Sequence, residues 1–209
     1  LPAWHQRHAR WLHSQFGILW MGMPDVRMPY STSSKHRTGS LCGVACHALA
    51  SDTGKGVVIT GGSKGLGYAM AKEFLAAGDR VVLCGRNASR LQAALRALRQ
   101  AFPQGQVEGQ PCDVADAAQV DALAELARNT VGPVSIWINN AGAVTSKRLL
   151  ADVPADEIAA AVGANVLGSL FGSRAAIRLM RSQPAAPGPA YHVFNLGFSS
   201  WGASFSKTA

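Results

Sequence analysis

Glycines at 61, 65 and 67 follow directly on an apolar, β-branched run in the stretch Val57 to Gly67, VVITGGSKGLG. A strand that ends in such a turn and passes into a helix leaves helix N-terminal amides unpaired and partly positive, where a pyrophosphate can bind. The spacing differs from the commoner dinucleotide fingerprint, and a tight strand-to-helix turn without a ligand would also use glycine. Arg86 lies about 20 residues beyond the glycines, where an NAD-binding chain carries an acidic residue for the ribose hydroxyls. Gly85 and Arg86 instead leave room and positive charge for a 2′-phosphate, and Lys64 adds a second cation within the loop. Either cation alone reads equally as solvated surface charge; together they predict a preference for NADP(H).

The elements that must position these residues alternate between strand and helix patterns from Gly56 onward. Val57 to Thr60, Arg80 to Cys84, Gln106 to Cys112, Val134 to Asn139 and Tyr191 to Leu196 are the predicted strands. Between them the spacing predicts helices over Leu66 to Ala77, Ala88 to Ala101, Asp116 to Thr130 and, as one long segment, Asp156 to Ser182. The stretch Gln183 to Pro189, QPAAPGP, reads as a loop. Strands separated by helical crossovers imply an α/β fold, a doubly wound parallel sheet of the Rossmann type. Asp113 falls just after the third strand, at the carboxyl edge where an adenine would lie, and capping of the next helix is an equally good use for it.

The chain of 209 residues, 48% hydrophobic and 15% charged, can bury a substantial core. Its formal charge of +8 is spread without a long basic run, which argues against nucleic acid and favours anionic ligands or an anionic membrane surface. Residues 1–53 differ from the rest: five of the six histidines lie there, Glu is absent, and Asp25 and Asp52 are the only acidic residues. With Arg7, Arg10, Arg27, Lys35, Arg37 and a run of hydroxyl residues, this composition reads as an organelle transit peptide or a disordered leader. Residues 54–209 then form the nucleotide-binding domain. Cys42, Cys46, Cys84 and Cys112 have no spacing that announces a disulfide framework or a zinc site, so no metal is expected, even at Cys42, Cys46 and His47.

Four motifs in order, TGGSKGLG at 60–67, CDV at 112–114, NNAG at 139–142 and Asn165, make the chain resemble the short-chain dehydrogenase/reductase family from about Lys55 onward. The resemblance implies that Thr60, Gly61, Ser63, Lys64, Gly65, Leu66 and Gly67 cradle the pyrophosphate. It further implies that Asp113 and Val114 meet the adenine, that Asn140, Ala141 and Gly142 lie beside the cofactor, and that Asn165 holds a water in a proton relay. Family members are often oligomers, so a homo-oligomer, or a hetero-oligomer with a related reductase, is expected. Within the family, VSIWINNAG, ANVLGSLFGSRAAIRLM and YHVFNLG are similar to the chlorophyll b reductases of chloroplasts. That similarity implies NADPH-dependent reduction of the 7-formyl group of chlorophyll b to a hydroxymethyl group. It also implies a chloroplast location and peripheral contact with the thylakoid.

The chain also departs from the family pattern. Carbonyl reduction needs a proton donor, which the family supplies with a Tyr made more acidic by a Lys four residues later. Tyr68 and Lys72 have that spacing but fall in the helix after the glycine loop, where they read as ordinary helix residues. The family's pair, and a sixth strand, are expected beyond Ala209, so residues 1–209 alone are expected to be inactive. The position of the usual catalytic Ser holds Phe198, and Ser199 is the candidate substitute. The sequence therefore supports an NADPH-dependent reductase of a carbonyl substrate. Against it stand a generic carbonyl reductase and a nucleotide-binding subunit that has lost the chemistry.

Overall fold

The computed structural model describes residues 54–184 and 191–197. Five parallel strands, β1 (Gly56–Ile59), β2 (Arg80–Gly85), β3 (Val107–Pro111), β4 (Val134–Asn139) and β5 (His192–Asn195), form one sheet in the order β3-β2-β1-β4-β5. The order reverses at β1, whose residues Val57, Val58 and Ile59 pair with Val81, Val82 and Leu83 on one side and Ile136, Trp137 and Ile138 on the other. A crevice opens at the carboxyl ends of the strands at such a reversal.

The β-branched runs that predict strands are completely buried at Val57, Val58, Ile59, Val81 and Val82, as central parallel strands require. Alternate residues serve opposite faces. Val58, Val82, Cys84 and Trp137 share one core cluster with Val120, Leu123 and Ala127 of α3 (Ala117–Val131) and Ala175, Ala176 and Leu179 of α5 (Gly168–Arg181). The crossovers α1 (Gly65–Ala76) and α2 (Ala88–Ala101) bury Met70, Ala71 and Leu75, and Leu91, Leu95 and Leu98, respectively. At the far end of the sheet the side chain of Gln183 takes the part of a strand neighbour. Its Oε1 accepts the Val134 N–H at 2.7 Å and its Nε2 donates to Val134 O at 3.1 Å.

Two expectations are corrected. The third strand is shorter than Gln106 to Cys112, and Cys112 leaves the ladder after a 3.3 Å bond from its N–H to Gly85 O. The segment Asp156 to Ser182 is not one helix. It comprises α4 (Ala155–Val162), a π-helical turn over Gly163–Leu167, and α5. Close packing fixes the interruption. A Cβ on Gly168 would lie 2.6 Å from Val114 Cγ2, and one on Gly163 3.2 Å from Ala115 Cβ. The widened turn carries Asn165 to the loop after β4.

Candidate functional site

The cleft at the carboxyl edge is built first by the glycine loop. Gly65 has φ +58°, a left-handed conformation that an L side chain resists, and space around it is open. Gly67 is constrained differently: a Cβ there would sit 2.5 Å from Gly61 O and 2.6 Å from Asn140 Nδ2. No side chain caps the first turn of α1, so its leading amides face the cleft mouth as donors for an anion. Gly62 N–H donates to Cys84 O at 2.9 Å, fastening the loop to the end of β2.

The loop is also tied to β4. Thr60 is buried, and its Oγ1 accepts the N–H groups of both Asn140 and Ala141 at 3.0 Å. Asn140 Nδ2 donates to Thr60 O at 2.8 Å and Gly61 O at 3.2 Å. NNAG and the glycine turn therefore form one rigid floor. Asn139 points the other way, into a network with Trp137, Ser173 and Asn195.

The resulting cleft has a volume of about 590 Å³, within the range of small-molecule sites. Of the residues expected at a cofactor, Gly61, Ser63, Lys64, Gly65, Arg86, Val114, Asn140, Ala141 and Gly142 line it. Thr60 and Gly67 are buried behind the floor, and Leu66 is half-buried in the first turn of α1, outside the lining. Asp113 is also outside the lining. Its Oδ1 accepts the Ala115 N–H at 3.0 Å, while Asp116 caps α3 by accepting from Ala118 and Gln119 at 2.9 and 3.3 Å. Those bonds, led by the one from the Gln119 side chain, hold the Asp116 carboxyl below its ordinary pKa.

Among the lining residues missed from sequence are Asn87 and Arg90, beside Cys84, Cys112 and Ala164. Asn87 caps α2, accepting the Arg90 N–H at 2.8 Å, which puts Arg90 in the first helical turn beside Arg86. The signal was an Asn followed three residues later by a cation at a predicted helix start. A cation in the first turn opposes the helix dipole at a cost of about 0.3–1 kcal/mol, which an anion in the cleft would offset. Lys64, Arg86 and Arg90 thus all line the cleft. Donor amides, uncapped helix, room and triple positive charge fit a phosphorylated dinucleotide.

Cys84 and Cys112 also line the cleft, although nothing in their spacing pairs them. Both thiols are buried and act on each other: the Cys84 thiol holds Cys112 below its ordinary pKa, and the Cys112 thiol, with burial, pushes Cys84 well above it. Asn165 is spent on the chain rather than on open space. Its Oδ1 accepts the Ala143 N–H at 2.9 Å and its Nδ2 donates to Ala143 O at 2.7 Å. Farther along the same loop, Glu157 accepts from Ser146 N–H at 2.9 Å and Ser146 Oγ at 2.8 Å. Ser199, Phe198, the 1–53 leader and most of the 183–189 loop lie outside the described residues. Among the described residues no group of three or more His, Cys, Asp or Glu is arranged to hold a metal.

Comparison with known proteins gives consistent relatives. A family model described as short chain dehydrogenase matches residues 55–187. The chloroplastic chlorophyll(ide) b reductase NOL of Oryza sativa subsp. japonica is 41% identical over 141 residues, 67% of this chain and 40% of that relative. An NADPH-bound short chain oxidoreductase from Pseudomonas aeruginosa, described as containing an atypical catalytic center, is 37% identical. It superposes with a TM-score of 0.55 over 61% of this chain and 50% of its own. A short chain dehydrogenase/reductase from Burkholderia phymatum in complex with NAD is 34% identical, with a TM-score of 0.61 over 67% of this chain and 47% of its own.

Proposed function

The chain belongs to the short chain dehydrogenase family, and from that premise we propose that it is part of an NADPH-dependent reductase that acts on the formyl group of chlorophyll b. The observation that carries the cofactor half is the convergence of Lys64, Arg86 and Arg90 on the cleft lined by Gly61 and Gly65. The bound nicotinamide supplies the hydride. The chain's own residues hold the rest in place. First-turn amides of α1 take the pyrophosphate, Arg86 and Arg90 take the 2′-phosphate, and Asn140 to Gly142 form the floor under the cofactor. Asn165 keeps the Ala143 peptide fixed at the cleft rim.

The substrate half rests on the similarity to the rice reductase, of which this chain spans 40%. A chloroplast location follows from the same similarity and from the transit-like composition of residues 1–53. Contact with a pigment-bearing membrane is peripheral in this reading. No described helix is long and apolar enough to cross a bilayer. An oligomer, with a second copy or with a related reductase, belongs to the same reading.

A second reading, a nucleotide-binding subunit without turnover, is favoured by Phe198 at the usual Ser position. One experiment separates them. The full-length protein that contains this chain is titrated with NADPH and NADH, then incubated with chlorophyll b and NADPH while 7-hydroxymethyl chlorophyll is followed by chromatography. Tighter NADPH binding with product formation supports the reductase. Binding without product from chlorophyll b or simple aldehydes supports the subunit, and equal affinity for the two nucleotides overturns the cofactor assignment.

A further inference from the structure

Trp137 is the largest completely buried side chain among the described residues, and it sits two residues before Asn139 on the same face of β4. Its Nε1–H donates to Asn139 Oδ1 at 2.8 Å inside the core. An indole nitrogen can only donate, so this bond decides which way the Asn139 amide faces. With Oδ1 taken by Trp137, Nδ2 is turned outward, donating to Asn195 Oδ1 at 2.8 Å and Ser173 Oγ at 3.1 Å. Ser173 Oγ donates in turn to Asn195 Oδ1 at 3.3 Å, so the Asn195 oxygen receives two donors. Space for the arrangement comes from Gly172. A Cβ there would collide with Asn139 Oδ1 and come within 3.2 Å of Trp137 Nε1.

The end of this chain of bonds is the last residue of β5. Directly after it, Leu196 N–H donates to the backbone oxygen of the same Asn139 at 2.9 Å. Both the side chain and the backbone of Asn139 therefore hold the point where β5 passes to the residues after Asn195, next to the strand whose exit lines the cleft. The chain of bonds runs from the buried Trp137 and Asn139 to the exposed Asn195, and at its buried end, where an unpaired polar atom would cost stability, the Trp137–Asn139 bond is made.

We propose that Trp137 is a positioning residue: by orienting the Asn139 amide it fixes the exit of β5 at the carboxyl edge beside the cofactor cleft. The catalytic consequence rests on the reductase reading above; the structural consequence does not. The test substitutes Trp137→Phe, which keeps a buried aromatic ring and removes the N–H donor together with part of the ring volume, a packing loss for which a second amide serves as control. Amide hydrogen exchange is measured at Leu196 and, as an internal control, at Thr60, whose N–H donates to Ile138 O from the opposite side of β4.

Exchange at Leu196 is expected to accelerate about ten-fold or more while Thr60 is unchanged, since losing one buried hydrogen bond opens the segment it held rather than the whole sheet. In the same variant NADPH affinity is expected to stay within about two-fold and kcat for the carbonyl substrate to fall about ten-fold. Equal exchange at Leu196 in both proteins, or equal acceleration at Thr60, overturns the proposal. Should Trp137→Phe not fold, Ser173→Ala and Asn195→Ala are compared singly and together. Additive effects on Leu196 exchange overturn the relay, and coupling supports it. If the unsubstituted full-length protein turns over no carbonyl substrate, the reductase reading fails on that result, and the exchange data still decide the role of Trp137.

Discussion

Asn140 is tied to Thr60 twice: its backbone N–H donates to Thr60 Oγ1 at 3.0 Å, and its side-chain Nδ2 donates to Thr60 O at 2.8 Å. The end of β1 and the end of β4 thus behave as one piece, and the cofactor floor inherits its rigidity from a buried hydroxyl that does not line the cleft. Replacing Thr60 with Val keeps the shape and strands the N–H groups of Asn140 and Ala141. Each orphaned buried donor costs about 1–3 kcal/mol. Thr60→Val is expected to lower the urea midpoint by a corresponding amount and to weaken NADPH binding. Unchanged midpoint and affinity would contradict the tie.

Arg86 and Arg90 face the cleft together, so their removal should act on the 2′-phosphate alone. A hydrogen bond to a charged group contributes about 1.5–3 kcal/mol, or about a 10- to 100-fold change in dissociation constant. Arg86→Ala is expected to weaken NADPH by that factor and to leave NADH nearly unchanged in fluorescence titrations. Equal weakening of both nucleotides would place Arg86 elsewhere on the ligand.

Gly65 and Gly67 should respond differently to the same methyl group. At Gly65 the added Cβ meets nothing within 4 Å, and the cost is the left-handed backbone, about 1–2 kcal/mol. At Gly67 it meets Gly61 O at 2.5 Å and must push the loop off Asn140. Gly67→Ala is therefore expected to abolish detectable NADPH binding, and Gly65→Ala to leave it measurable. The reverse order in calorimetric titrations would overturn this division of roles.

Glu157 predicts a pH dependence. The Ser146 N–H, and then its hydroxyl, hold the carboxyl below its ordinary value of 4.5. A group whose pKa is lower in the folded chain stabilises fully above its unfolded value and loses that contribution as pH falls through the folded value. The clip on the loop at Ser146 should therefore hold at neutral pH and open below the ordinary glutamate range, seen as faster exchange at the Ser146 amide. Glu157→Gln is expected to remove most of that acid dependence.

Cys112, held toward its thiolate by the Cys84 thiol and lining the cleft, is expected to react with iodoacetamide before Cys84 as pH rises. NADPH is expected to slow the reaction. Peptide mass mapping reads both, and earlier modification of Cys84 would contradict the order in which the two thiols ionise.

The sequence by itself determined the alternation of strands and helices, because apolar runs with period-two or helical spacing must bury their faces whatever surrounds them. It also determined the glycine turn and its two nearest cations, Lys64 and Arg86, since glycines directly after a strand mark a tight turn through left-handed conformations that other residues resist. Arg90 escaped although α2 starts where the spacing predicts, because periodicity does not report which first-turn side chain lines a cleft.

Only the tertiary structure decided the rest, because each remaining feature joins residues far apart in the chain. The segment over 156–182 is broken by a π-helical turn, since Gly168 must pass close to Val114 and Asn165 must reach Ala143. Cys84 meets Cys112 through the pairing of β2 with β3, and Trp137 reaches Asn195 through Asn139. Periodicity in a sequence reports which face of an element is buried. What that face touches is set by how the elements close on one another, and on that contact the cofactor floor and the exit of β5 both depend.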